Sequence, residues 1–200
     1  MTLALWLLAA YFLGAIPTSY LVARWLGGID LREHGSKNLG ATNLYRTLGW
    51  RYAVPTGLFD VAKGAIPVVV FAPRAGGPEW VPIALGVAAI IGHVFSLFVR
   101  LRGGKGVATA AGAVLGLAPL PLAVSAVVWV TLVWATGYVS LASMSGAAAF
   151  PLAVWLLQPG DPYVLVAGVL LATFIVFTHR ANIRRLLEGR EARFGHHAAP

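Results

Sequence analysis

Val107-Ala108-Thr109-Ala110-Ala111-Gly112-Ala113-Val114-Leu115-Gly116-Leu117-Ala118 is an apolar stretch of twelve residues between Gly103-Gly104-Lys105-Gly106 and Pro119. As a helix it would rise ~18 Å at 1.5 Å per residue, short of the ~30 Å hydrocarbon core of a bilayer. How it is counted decides the topology of the chain. Three readings are open: a helix tilted beneath a thinned bilayer, one extended past Pro119 and Pro121, or a half-helix packed inside the protein.

The rest of the chain leaves little doubt about its solvent. Of 200 residues, 58% are hydrophobic and 11% charged, against roughly 25% charged in an average soluble domain. Mean hydropathy is +0.78. Long unbroken apolar runs, with no alternation of polar and apolar residues, predict membrane-spanning helices rather than barrel strands. Spans are predicted near residues 3–26, 53–72, 80–99, 120–137, 140–157 and 162–179, each close to the ~20 residues a crossing needs. The start, Met1-Thr2-Leu3-Ala4-Leu5-Trp6, has no basic segment before its apolar run, so the first helix is expected to stay in the protein.

Basic residues sort the ends of these helices. Arg24, Arg32, Lys37, Arg46 and Arg51 follow the first span; Arg100, Arg102 and Lys105 follow the third; Arg180, Arg184, Arg185, Arg190 and Arg193 follow the last. The opposite loops hold Arg74 beside Glu79, and Asp161. The positive-inside rule puts all three basic segments in the cytoplasm, and an even number of crossings must separate Lys105 from His179. Counting the short segment gives that parity. The predicted fold is therefore an all-α integral membrane protein with seven transmembrane helices, one short, the N-terminus outside and the C-terminus cytoplasmic, forming a single polytopic domain over residues 1–200.

The net charge of +8 and pI of about 10.5 fit this placement of cations against anionic headgroups. They do not form a basic stripe with interleaved aromatics, so no nucleic-acid partner is expected. There is no cysteine, which excludes disulfides, thiolate metal sites and thioester intermediates on the protein. No cluster of Asp, Glu and His has metal-ligand spacing, so neither metal nor cofactor is expected. The tail from Phe194 to Pro200 reads as frayed, and His196 with His197 as a weak metal signal outweighed by solvated disorder.

Three polar islands interrupt the apolar chain, all on the cytoplasmic side of the predicted topology. The first is His34-Gly35-Ser36-Lys37-Asn38-Leu39-Gly40-Ala41-Thr42-Asn43-Leu44-Tyr45-Arg46. Gly35 and Gly40 permit turns that bring backbone amides near a ligand; Ser36, Asn38, Thr42 and Asn43 offer hydrogen bonds, and Arg46 a bidentate fork for phosphate. The same residues also suit a loop that caps the second helix. The second island, Arg100-Leu101-Arg102-Gly103-Gly104-Lys105-Gly106, presents glycines and a cation just before a helix, where amides favour anions. It lacks the spacing of a nucleotide-binding P-loop, and an ordinary basic turn would look similar. His93, just inside the third span, reads as a helix-packing hydrogen bonder or a catalyst. Asp60 and Lys63, three residues apart, read as an intrahelical ion pair. The third island is Thr178-His179-Arg180-Ala181-Asn182, with His179 either an interfacial anchor or a base poised near neutral pH. Ser140 and Ser143 start the sixth helix on the same face.

Taken together and in this order, Gly35–Asn43, Gly92-His93-Val94-Phe95 leading to Gly103–Thr109, and His179–Leu186, with Phe59-Asp60-Val61-Ala62-Lys63-Gly64 between the first two, resemble the three motifs of the bacterial acyl-phosphate:glycerol-3-phosphate acyltransferases. The chain departs from that pattern at Ser96, where the family often has proline, and at Arg102, where lysine is common. The resemblance implies an enzyme of the bacterial inner membrane, active at its cytoplasmic face. Its partners would be acyl phosphate, glycerol 3-phosphate and membrane lipids, and its products lysophosphatidic acid and inorganic phosphate, the first acylation of phospholipid synthesis. By matching position it makes Ser36, Arg46, Lys105, His179 and Asn182 the catalytic candidates. Phosphate binding falls to Gly103, Gly104, Lys105 and Gly106 with Arg46, Asn38, Thr42, Asn43 and Ser143. The islands are expected to converge at the inner leaflet. Oligomeric state is left open, a monomer being compatible.

Two other classes stay in view. A transporter of small phosphorylated anions would place its cations near the bilayer midplane between inverted repeats, and no repeat is visible. A phosphoalcohol transferase would hold metal on clustered aspartates, whereas Asp30, Asp60 and Asp161 are scattered.

Overall fold

The computed structural model describes residues 2–194; His196 and His197 lie outside them. The described residues are helical and carry no strand. They form two compact units, the first ending at Leu117 and the second beginning at Ala118.

In the first unit, α1 (Leu3–Ala15) and α2 (Thr18–Leu26) make one apolar span, Leu3–Leu26, broken in the middle. Pro17 is the cause: it has no N–H to continue the ladder, and it forces Ile16 out of helical conformation, to ψ 112°. The chain then crosses the loop of the first island into α3 (Ala41–Leu48) and α4 (Trp50–Ile66). At Pro67 a second missing N–H coincides with a wider π-type turn, Pro67–Phe71, before the short α5 (Ala72–Ala75). The α6 helix (Val81–Val94) follows, then a single 3₁₀ turn at Leu97–Val99, then α7 (Val107–Leu115).

The nine-residue α7 excludes one of the three readings of the opening stretch. It ends at Gly116, before Pro119, so it is not extended. Thr109, Ala110, Gly112, Ala113 and Val114 are buried, so it packs inside the protein. Its partner is α4, and the contact is backbone on backbone: a Cβ on Gly64 would overlap the Thr109 carbonyl, and one on Gly112 would overlap that of Val61. The same device joins α1 to α6, where Gly14 meets Ala89 and Gly92 meets Tyr11. Lipid tails are as apolar as leucine, so helices in a membrane gain little from hiding apolar surface and pack instead through small residues.

The second unit holds α8 (Pro119–Thr136), α9 (Val139–Leu157), α10 (Pro162–Thr178) and α11 (Arg180–Leu187). Gly137, in the left-handed conformation, turns α8 into α9. Asp161 caps α10 by accepting from the Val164 amide at 2.9 Å. At His179 the chain bends by 59° from apolar α10 into polar α11.

By length and composition, five helical stretches among the described residues can cross a membrane: Leu3–Leu26, Trp50–Ala75, Val81–Val99, Pro119–Thr136 and Val139–Leu157. The bent pair Pro162–Thr178 and Arg180–Leu187 makes a sixth. Their outer faces carry large exposed apolar side chains such as Leu58, Val127, Trp134 and Leu170, which only a lipid solvent leaves unpenalised. The helix pairing through glycine predicts that Gly112→Ala costs about 1–3 kcal/mol through overpacking. Thermal unfolding of the detergent-solubilised protein checks this; an unchanged midpoint would mean that α4 and α7 are not in backbone contact.

Candidate active site

The first island is built around one buried carboxamide. Asn43, on α3 and 1% exposed, accepts from the Ser36 amide at 2.8 Å. Its Nδ2 donates to the carbonyls of His34 and Asn38 at 3.0 Å and of Leu31 at 3.4 Å. A short helix thus organises the loop before it, and the turns it stabilises put Gly35 and Lys37 at positive φ, 57° and 60°. Asn43, expected to bind phosphate, has its side chain spent on the loop. Ser36, Asn38, Thr42 and Arg46 are half-buried, with their backbone fixed by this framework.

Upstream, Arg32 pairs with Asp30 through Nε at 2.9 Å and Nη2 at 2.6 Å and lies over the Tyr20 ring. The Arg32 hydrogen bonds hold the Asp30 carboxyl at about 2, below the usual range. Arg32, Glu33, Val99, Arg100 and Arg102 line a basic pocket of about 460 Å³. Its guanidinium groups were not among the expected site residues, and they attract anions to this face.

The second island folds back on the end of α6. The Gly103 amide donates to Val94 at 2.9 Å and the Gly104 amide to His93 at 3.2 Å. The glycines are demanded by packing: a Cβ on Gly103 would overlap the His93 carbonyl, and one on Gly104 the His93 imidazole. Gly106 sits at φ 85° as the residue preceding α7. Lys105, half-buried, therefore stands just ahead of a helix start, where the first N–H groups have no intrahelical carbonyl and point outward.

Beneath this loop, inside the apolar body of the first unit, lie Asp60, Lys63 and His93, all buried. The expected ion pair is present, Lys63 Nζ to Asp60 Oδ1 at 2.7 Å. It reaches further than one helix: Lys63 also donates to the Ile16 carbonyl at 2.9 Å, and Thr18 donates to Asp60 at 3.3 Å.

In the second unit, His179 occupies the bend between α10 and α11 and is buried. Its Nδ1 lies 2.8 Å from the Ile175 carbonyl. A carbonyl can only accept, so Nδ1 carries the proton and, in the neutral ring, Nε2 is the accepting nitrogen. That is the tautomer a general base needs. Asn182 lies one turn on and donates to Glu191 at 2.6 Å. Ser143 donates to the Val139 carbonyl at 2.8 Å and accepts from Trp129 at 3.2 Å. Its hydroxyl proton, expected to serve phosphate, is directed to its own helix.

Glu191 went unread in the sequence. Buried in the tail, it accepts from Ser140 at 2.7 Å, from Asn182 and, through its other oxygen, from Arg185 at 2.7 Å. The signal available was one of two acids, with Glu188, spaced among the tail's arginines, which does not by itself distinguish a clamp from a solvated charge. Burial pushes its carboxyl up, but hydrogen bonds from Ser140, Asn182 and Arg185 outweigh that and hold it below the ordinary value. Among the described residues no group of three or more His, Cys, Asp or Glu side chains could hold a metal ion.

Helices of this length and polarity define an integral membrane protein, and its cationic, glycine-bearing loops lie in the first unit. Comparison with known proteins gives the family. Residues 4–189 match the glycerol-3-phosphate acyltransferase family model, and the chain belongs to that family. It is 45% identical to the glycerol-3-phosphate acyltransferase of Desulforudis audaxviator, covering 92% of each chain. It is also 45% identical to that of Trichlorobacter lovleyi, covering 94% of this chain and 96% of the other. Among solved structures it resembles PlsY (YgiH), an integral membrane glycerol 3-phosphate acyltransferase. The glycerol 3-phosphate form of that protein gives a TM-score of 0.90 at 38% identity, over 96% of both chains. Its lysophosphatidic acid form gives 0.87.

The Glu191 clamp yields a prediction with a defined pH sign. A carboxyl held low in the folded protein contributes stability above the ordinary carboxylate range and loses it as pH falls through the folded value. Glu191→Gln should lower the thermal midpoint near neutral pH by the equivalent of about 1–3 kcal/mol and remove part of the acid-side loss. Midpoints measured across acidic pH check this; parallel curves for the two proteins would contradict it.

Proposed function

We propose that this protein transfers a fatty acyl group from acyl phosphate to sn-glycerol 3-phosphate, giving lysophosphatidic acid and inorganic phosphate. The observation that carries the reading is the likeness to a solved acyltransferase in two forms, one with glycerol 3-phosphate and one with its acylated product. The cationic loops of the first unit support it, being suited to a substrate pair in which both members are phosphorylated.

Acyl phosphate is a mixed anhydride, so the leaving group needs no protein nucleophile. The glycerol hydroxyl oxygen attacks the acyl carbon, the ester C–O bond forms, and the C–O bond to phosphate breaks with its electrons leaving on phosphate. The hydroxyl proton ends on the departing phosphate, taken up directly or by way of His179 as base. Arg46, Lys105 and the amides opening α7 offset the repulsion between two anions and the charge that develops on the carbonyl and leaving oxygens. Ser36 with Asn38 and Thr42 contributes hydrogen bonds to phosphate. In the bacterial inner membrane the reaction takes place at the cytoplasmic face, with the N-terminus outside, the C-terminus inside, and α7 counted as the seventh crossing.

Purified protein supplied with acyl phosphate and glycerol 3-phosphate should form lysophosphatidate and phosphate in equal amounts, and do so in the presence of chelator. Acyl-coenzyme A accepted in place of acyl phosphate, or turnover lost to chelator and restored by metal, would overturn the reading. Lys105→Ala should lower kcat/KM by roughly 100-fold, the scale of one preorganised donor. Quenching the enzyme with labelled donor and no acceptor should leave the protein unlabelled; stoichiometric label on Ser36 would replace direct transfer with a two-step route through an acyl-enzyme. The absence of native cysteine makes the topology easy to test. A cysteine placed at Gly77 should react with an impermeant reagent from outside, and one at Lys37 or Glu188 should not.

A further inference from the structure

The direct transfer just described gives no task to Asp60, Lys63 or His93, yet burying them is costly. The Lys63 and Asp60 side chains are 1% and 3% exposed, inside a stretch of helix that composition assigns to the membrane. Such pairs recover little net stability against their desolvation. Their placement, by contrast, is informative, because Lys63 and Asp60 touch the two sides of the Pro17 break and His93 touches the loop after α6.

Lys63 Nζ donates to Ile16, the residue whose carbonyl stands at the Pro17 break between α1 and α2. Thr18, the first residue of α2, donates to Asp60 Oδ1. His93 Nδ1 lies 3.8 Å from that same oxygen, an electrostatic contact rather than a hydrogen bond. The opposite edge of the imidazole, Nε2, faces Gly104 so closely that a Cβ there would overlap it. The His93 carbonyl in turn accepts from the Gly104 amide at 3.2 Å. The chain of contacts therefore runs from the broken first span, through α4, to the last turn of α6 and the residue before Lys105.

We propose that Asp60, Lys63 and His93 form a buried positioning device that sets the Gly103–Gly106 loop, and with it the Lys105 ammonium, through the contact of His93 with Gly104. The ion pair fixes the broken helix ends relative to α4, and Asp60 fixes one edge of the imidazole. The other edge forms the floor on which the loop rests. On this account Gly104 is glycine to admit the His93 ring while its amide bonds the His93 carbonyl. His93 is a positioning residue, not a catalytic one.

The kinetic arm of the test rests on the acyl-transfer reading; a second arm does not. Hydrogen–deuterium exchange of the 103–109 amides reads loop position without turnover. His93→Ala should speed that exchange while leaving α9 exchange unchanged. In the assay it should raise KM for glycerol 3-phosphate about tenfold, the cost typical of an outer-shell partner, with a smaller change in kcat. Gly104→Ala should also raise KM, and because its methyl clashes with the ring that His93→Ala removes, the double variant should be less impaired than the product of the single effects. His93→Gln, which keeps a polar group at the site, should recover part of the loss, and it carries the same readouts if His93→Ala does not fold. Exchange unchanged in the loop would overturn the proposal whether or not the wild type turns over, as would independent, multiplicative effects of the two substitutions. A wild type without acyl transfer but with loop exchange that responds to His93 would overturn only the functional reading.

Discussion

The constraint on which this structure depends is that hydrocarbon offers a backbone carbonyl or amide no hydrogen bond. A continuous helix meets it automatically, and a broken one must find partners within the protein. The first unit breaks its helices at Pro17 and widens one at Pro67. The Ile16 carbonyl accepts from the Thr18 amide at 3.0 Å and from the buried Lys63 side chain at 2.9 Å, which in turn pairs with the buried Asp60. Two buried polar side chains thus meet at one proline break.

The same constraint shapes the loops. The Gly103 and Gly104 amides are satisfied by the carbonyls of the last turn of α6, and the loop can approach so closely only because both residues lack a Cβ. The first island solves the problem with a side chain, Asn43 acting as a substitute backbone for Leu31, Ser36, His34 and Asn38. Both loops are tied down by these bonds, and a fixed backbone is what a cation needs if it is to stabilise a developing charge without reorganising.

Much of the fold was legible because apolar length is a direct measure of bilayer thickness. The stretches expected near 80–99, 120–137 and 140–157 fall on Val81–Val99, Pro119–Thr136 and Val139–Leu157. The span expected to start at 53 begins at Trp50, since hydropathy marks the edge of the hydrocarbon and not the end of a helix, and Trp50-Arg51-Tyr52 continue the helix beyond it. The helices α3 and α11 were missed for the related reason that both are polar and short, so neither gives an apolar window. The motifs singled out the polar loops, but not the division of labour within them. That Asn43 serves the loop while Ser36 is held by it, that Ser143 turns to Val139, and that Glu191 gathers Ser140, Asn182 and Arg185 are facts of tertiary contact. No spacing along the chain encodes them.

The central claim is that an apolar chain keeps its cations at Arg46 and Lys105 to hold a phosphate. A structure of this protein determined with glycerol 3-phosphate bound tests it most directly. The account predicts the phosphate within hydrogen-bonding distance of the Lys105 ammonium and the Arg46 guanidinium. A phosphate held instead by the arginines of the tail, with Lys105 and Arg46 facing away from the ligand, would contradict it.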